Sequence, residues 1–152
     1  MRYLKFLLVS ISLLVALTGC MSTESEGGEQ NGQAQDNFYF LRQKPSDGPT
    51  MEGLLQGQLI VSEKCLYIER EDASVYAAIW PAKHSLVIQG NSIQILNGNK
   101  VVLAQVGDQI RVGGGRISQP SSESFESRFE GSATKCTAPY WVISKVIEVV
   151  AP

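Results

Sequence analysis

Apolar and polar residues alternate in several short stretches of the chain. Every second residue is apolar or small in Leu55 to Val61, Val75 to Ile79, Ile93 to Ile95, Val102 to Val106 and Ile110 to Val112. A period of two is typical of β-strands that bury one face. With the breaks at Gly, Asn, Asp and Pro, it predicts strands at about 53–61, 65–70, 74–80, 85–89, 92–96, 100–106, 109–113 and 139–150.

The spacing of these runs predicts an all-β fold, a small antiparallel barrel of about 6–8 short strands. Phe38 to Leu41 is expected to add an edge strand. The run Tyr140 to Val150 is largely hydrophobic on both faces, so it is expected to lie in the centre of the sheet. Asn97-Gly98-Asn99 and Gly107-Asp108 have the composition of tight hairpin turns. Closure into a barrel is favoured because it removes exposed sheet edges.

Residues 117–135 interrupt the strand pattern. Pro120-Ser121-Ser122 can start a short helix near 122–130, with Phe125 and Phe129 on one face and Gly131 after its end. Packing of the two rings against a barrel mouth is the favoured interpretation. A ligand lid is the alternative, because long loops are often functional.

The first nineteen residues have the features of an export signal. Arg2 and Lys5 precede Phe6 to Leu17, a run of twelve residues in which only Ser10 and Ser12 are polar. A membrane-spanning helix needs roughly 20 apolar residues, so a cleaved signal is favoured over a span.

Leu17-Thr18-Gly19-Cys20 resembles the lipobox of bacterial lipoproteins. The resemblance implies cleavage between Gly19 and Cys20, a diacylglycerol on the Cys20 sulfur and usually a third acyl chain such as palmitate. Two or more chains anchor a protein stably in a membrane. Met21 follows the cysteine, so the family's sorting rule favours the outer membrane in a Gram-negative host and the cell membrane otherwise.

Composition divides the remaining chain into a tether, residues 20–37, and one domain, residues 38–152. The tether carries Glu24, Glu26, Glu29 and Asp36 without a basic residue and is expected to be disordered, with a reach of roughly 20–25 Å. The domain holds 11 acidic and 11 basic residues. A neutral domain on an acidic tether argues against nucleic-acid binding.

Two cysteines remain when Cys20 is acylated. An exported chain meets an oxidising compartment, so Cys65 and Cys136 are predicted to form a structural disulfide. The alternatives are a redox pair or a metal site with His84, the single histidine. The spacing matches neither Cys-x-x-Cys nor a zinc pattern, so no metal or cofactor is predicted.

Aromatic residues and one cation are the candidate ligand-binding groups. Trp80, Tyr140 and Trp141 lie on predicted strands, where exposed rings can bind sugars. Core packing is the other interpretation, and alternation prevents Tyr140 and Trp141 from both facing inward. Gly113-Gly114-Gly115 is predicted to end a strand where the chain turns sharply or passes close to another part of the protein. With Arg116 it forms an anion site in the alternative interpretation.

The domain also resembles small uncharacterised bacterial envelope β domains, and no functional residue follows from that resemblance. It rests on Gly57-x-Leu59, Cys65-Leu66-Tyr67, Trp80-Pro81, Val106-Gly107-Asp108, the triple glycine, and Cys136 before Tyr140-Trp141-Val142. No catalytic motif is evident. The sequence therefore favours a lipid-anchored envelope protein with a non-catalytic binding or scaffolding domain. The alternatives are a module for cell-wall glycan, an assembly partner of another envelope protein, and a hydrolase or redox enzyme.

Overall fold

The structure, a computed structural model, describes residues 38–46, 50–118, 120–131, 135–137 and 139–152. The predicted signal peptide, the lipobox with Gly19 and Cys20, and the tether lie outside the described residues. The described residues form ten strands and one helix: β1 (Leu41–Gln43), β2 (Gly53–Ser62), β3 (Cys65–Glu69), β4 (Val75–Trp80), β5 (Ser85–Gln89), β6 (Ser92–Leu96), β7 (Val102–Gln105), β8 (Gln109–Ile117), α1 (Ser122–Arg128), β9 (Phe129–Glu130) and β10 (Tyr140–Val150).

The all-β class is confirmed, but the strands do not form a closed barrel. Seven strands make one sheet in the order β10-β8-β2-β3-β4-β1-β9, and β5, β6 and β7 make a second sheet. The large sheet curls until β10 also pairs in parallel with β4, over Ala77–Ile79. The prediction of a single barrel was wrong because residues 85–105 form local hairpins that pair only with one another.

Two hydrophobic clusters lie on opposite faces of β3, β4 and β10. Successive residues of these strands alternate between the clusters, as Ala78 and Trp80 do against Ala77 and Ile79. We call the cluster that contains Ala78 and Trp80 the inner cluster. It also receives Leu86, Ile95 and Ala104 from the second sheet. We call the cluster that contains Ala77 and Ile79 the outer cluster, and it also contains Phe125, Phe129 and the two cysteines. Burial on both faces explains the continuous apolar stretches 65–68, 77–80 and 140–143 of these strands.

Helix α1 forms where the sequence predicts it, with a different end. The Ser121 hydroxyl caps the helix by accepting a hydrogen bond from the Ser124 amide, at 3.3 Å. Phe129 already lies in β9, so it is not on the helix face, yet its ring centroid is 4.9 Å from that of Phe125. The helix therefore packs on the outer cluster and not on the mouth of a barrel.

Three other predictions about strands need correction. The N-terminal strand is β1, and Tyr39 makes only an isolated bridge with Cys65. Gly113 does not end a strand, because β8 continues through the glycines to Ile117 and pairs with β10 throughout. Only the first residues of β10 lie between two strands, since from Ser144 onward β8 is its partner.

Candidate functional site

The Cys65–Cys136 disulfide is confirmed. The two Cα atoms are 5.7 Å apart, and the side chains are 0 % and 2 % exposed. The bridge joins the first residue of β3 to the segment that leads into β10. It is surrounded by protein, because the Tyr67 hydroxyl contacts Thr137 Oγ1 and accepts a hydrogen bond from the Thr137 amide, both at 3.1 Å.

Two of the predicted ligand-binding aromatic residues are core residues. Trp80 is fully buried in the inner cluster, where it stacks on Phe40 at a centroid distance of 6.3 Å. Tyr140 is buried in the outer cluster, and its hydroxyl donates to the Cys136 carbonyl oxygen at 2.9 Å. Burial, with a smaller effect of Tyr67, raises the pKa of Tyr140 above its ordinary value. Neither ring can line a groove, which corrects that part of the prediction.

Trp141 and Arg116 are brought together at one side of the domain. They are cross-strand partners in β10 and β8, and side chains of such partners share one face of a sheet. Tyr76 of β4 joins them. Its ring meets Trp141 edge-on at 5.9 Å, and the Arg116 guanidinium lies 6.0 Å from the Tyr76 ring centroid.

The indole of Trp141 is seated on glycine backbone. A Cβ atom at Gly53 would lie 3.1 Å from Cη2 of Trp141, and one at Gly114 would lie 2.8 Å from its Nε1. Trp141 is consequently only 8 % exposed. The triple glycine is therefore explained by close approach, and its pairing within β8 leaves no free nest of N–H groups for an anion.

Trp141 and Tyr76 form the inner end of a cleft with a volume of about 870 Å³. One wall is the first half of β2, and the other is the turn that joins β3 to β4. The lining is Leu54 to Gln58, Glu69 to Ala73, Tyr76, Gln109 and Trp141. Amide and carboxylate side chains thus surround an aromatic end, an arrangement suited to binding a polar ligand.

The β3–β4 turn is held in place by its own side chains. Asp72 Oδ1 accepts hydrogen bonds from the Ser74 amide at 3.0 Å and the Ser74 hydroxyl at 2.5 Å, and Asp72 Oδ2 accepts one from Arg70 at 2.8 Å. The hydrogen bonds from Ser74, with Arg70 nearby, lower the pKa of Asp72 below its ordinary value. The wall is therefore a preformed element with a fixed charge.

The cleft has an excess of negative charge. Arg70 is paired with Asp72, whereas neither Glu69 nor Glu71 has an ion-pair partner among the described residues. Gly57 allows the backbone of Glu69 to approach β2, since a Cβ there would overlap the Glu69 carbonyl group. Glu69 and Glu71 both line the cleft beside the point where the pairing of β2 with β3 ends.

His84 follows β4 and lies against Trp80, with ring centroids 6.1 Å apart. Its Nδ1 is buried without a hydrogen-bond partner in the described part of the chain. Burial lowers the pKa of His84 below its ordinary value of 6.5. No ion pair between His84 and a carboxylate is found among the described residues.

Sequence reasoning did not find most of the cleft. The glutamines at 56, 58 and 109 and the acidic turn look like ordinary surface residues of strands and loops. Trp141 is the cleft residue that the sequence named, and Gly57 was a further signal, since a glycine within a strand often marks close backbone approach.

Neither a metal site nor a membrane-spanning helix is found where the chain is described. No three His, Cys, Asp or Glu side chains of that part are grouped so that they could hold a metal ion. No helix within the same residues is long and apolar enough to cross a bilayer. Comparison with protein-family models, with curated proteins and with solved structures finds no match to this chain.

Proposed function

We propose that this protein is a membrane-anchored lipoprotein of the bacterial cell envelope whose β domain binds a partner non-catalytically. The observation that carries the binding role is the cleft beside the β3–β4 turn, with Tyr76 and Trp141 at its inner end. The lipobox at Cys20 supports the anchor, and the tether would hold the domain just above the lipid headgroups.

The anchor is tested by Cys20→Ser in the full-length chain. The native protein should fractionate with membranes and gain the mass of its acyl chains. The variant should be exported in soluble form without that mass. A native protein that carries no lipid would contradict the proposal.

The binding role is tested by cross-linking in intact envelopes. Glu71→Lys reverses a charge in the cleft, and Glu123→Lys reverses an exposed charge on α1, outside the cleft. Loss of the cross-linked product with Glu71→Lys alone would support the cleft. Equal loss with both variants, or with neither, would count against it.

A cell-wall glycan is the second candidate ligand. It is favoured by the neighbourhood of Tyr76, Trp141 and Arg116, because aromatic rings beside polar groups are typical of sugar sites. It predicts that Tyr76→Ala removes binding to isolated glycan in a domain that still folds, although loss of the contact with Trp141 lowers the unfolding midpoint.

An enzyme is the remaining alternative. It would require loss of a measurable activity on His84→Ala at unchanged stability, or a Cys65–Cys136 bridge that is readily reduced in the native protein. Burial of the bridge and the absence of an ion pair between His84 and a carboxylate in the described residues support the non-catalytic proposal.

A further inference from the structure

The first half of β2 has one unpaired backbone edge. Leu59 donates to the Asp108 carbonyl and accepts from the Gly107 amide, so its backbone groups face the β8 side. Because backbone groups alternate along a strand, Leu55 and Gly57 also face β8, with which they are in regular register. The N–H and C=O groups of Leu54 and Gln56 therefore face the opposite way, towards the cleft.

No strand covers that edge within the described residues. Pairing of β2 with β3 ends at Gln58 and Glu69, after which the chain turns and the Arg70 amide bonds to the Ser74 carbonyl. Natural sheets usually protect an open edge with proline, lysine or a bulge. Residues 53–57 contain none of these, and Leu54 is 59 % exposed.

The aromatic rings of the cleft are already engaged in contacts within the protein. Trp141 is nearly buried, and its contact with Tyr76 is edge-on. The guanidinium of Arg116 lies over the Tyr76 ring. A sugar would need a ring face for stacking, so backbone hydrogen bonding to β2 is the better-supported mode of binding.

The charges of the cleft indicate what the ligand carries. Glu69 and Glu71 are the carboxylates left unpaired beside the open edge. A basic side chain there would gain an ion pair, whereas an acidic one would be repelled. An added strand would place side chains at alternate positions, and Leu54, Tyr76 and Trp141 offer them apolar contact.

We infer that the cleft binds an extended polypeptide segment with a basic residue, which adds as a strand to the open edge of β2 at Leu54 and Gln56. Strand addition takes its affinity from main-chain hydrogen bonds and its specificity from alternate side chains. This inference rests on the proposed function, since it names the ligand class of the same cleft.

Gln56→Pro and Gln56→Ala separate backbone from side-chain recognition. Proline removes the N–H that faces the cleft and is tolerated where that N–H is not part of a ladder. Alanine removes the same side chain and keeps the N–H. The probes are a display library of unstructured decapeptides and, separately, chito-oligosaccharides, each offered to the disulfide-bonded domain.

Selected peptides should be rich in lysine, arginine and β-branched residues. They should bind Gln56→Pro roughly tenfold or more weakly than Gln56→Ala, because both variants lack the side chain and only the proline variant lacks the N–H. In case Gln56→Pro does not fold, hydrogen exchange on the native protein gives a second measurement. The amides of Leu54 and Gln56 should become protected when the peptide is added.

The inference is overturned if selected peptides bind Gln56→Pro unchanged, if the two amides stay unprotected, or if no peptide is selected. Sugar binding that is lost in Gln56→Ala or Tyr76→Ala would also overturn it, while the proposed binding function would stand. Absence of both peptide and sugar binding at the cleft would count against the inference and the proposed function together.

Discussion

At the scale of single residues, the absence of a side chain decides how the strands approach. Gly113 and Gly114 are neighbours in β8, but their surroundings differ. A Cβ atom at Gly114 would overlap the Val142 carbonyl oxygen, which is fixed backbone. The atoms nearest to a Cβ atom at Gly113 would belong to the side chains of Lys145 and Ser144, at 3.2–3.3 Å.

These surroundings predict opposite results for two alanine substitutions. Gly114→Ala should destabilise the domain by about 3 kcal/mol, because backbone and the Trp141 indole must both move. Gly113→Ala should stay within about 1 kcal/mol, since flexible side chains can give way. Urea unfolding of the two variants measures the difference. Equal midpoints for the two would show that β10 does not approach β8 as described.

His84 predicts a dependence of stability on pH. Burial lowers its pKa in the folded state, so the unfolded chain takes up the proton more readily. Its stability contribution is complete above pH 6.5, the ordinary pKa, and is lost progressively as the pH falls below that value. His84 is the single histidine, so other side chains contribute little to this window.

The measurement compares urea midpoints at about pH 7.5 and about pH 5.5. The native protein should be less stable at the lower pH, and His84→Gln should remove most of that decrease. A decrease of the same size in His84→Gln would assign the pH dependence to other groups.

At the scale of elements, local sequence patterns predicted the bounds of the strands, whereas features that depend on distant residues were not predicted. Strands β2 to β7 lie within two residues of their predicted bounds, because alternation and turn residues are local signals. The predicted strand end at Gly113 to Gly115 was wrong, whereas the alternative of a close neighbour at these glycines holds. Only the distant residues Met51 and Val142 distinguish these cases.

The candidate site was the least predictable part of the structure, because it also depends on contacts between residues that are distant in the sequence. Trp141 and Arg116 could be named from the sequence, but their meeting with Tyr76 depends on the pairing of β10 with both β8 and β4. The open edge at Leu54 depends on where β3 turns away from β2. Neither fact is encoded in a contiguous stretch of residues.

At the scale of the whole molecule, the disulfide connects the start of β3 to the segment before β10. The bridged residues are separated by 71 positions, and that loop contains the β5–β7 sheet, β8 and α1. Cross-linking a loop of this length lowers the entropy of the unfolded chain by an amount equivalent to about 4 kcal/mol. The bridge also fixes the chain four residues before Tyr140, and so it helps to place Trp141 at the cleft.

Removal of the bridge should therefore affect stability and the cleft together. The double variant Cys65→Ala/Cys136→Ala should lose up to about 4 kcal/mol in urea unfolding. In the native protein the buried bridge should resist dithiothreitol until urea unfolds the domain. Tryptophan fluorescence at low urea concentration should report a looser Trp141 in the double variant, and Trp141→Phe in that background identifies its share of the signal. Rapid reduction without urea would mean that the segment around Cys136 opens independently, and an unchanged unfolding midpoint in the double variant would remove the bridge as a support of the fold.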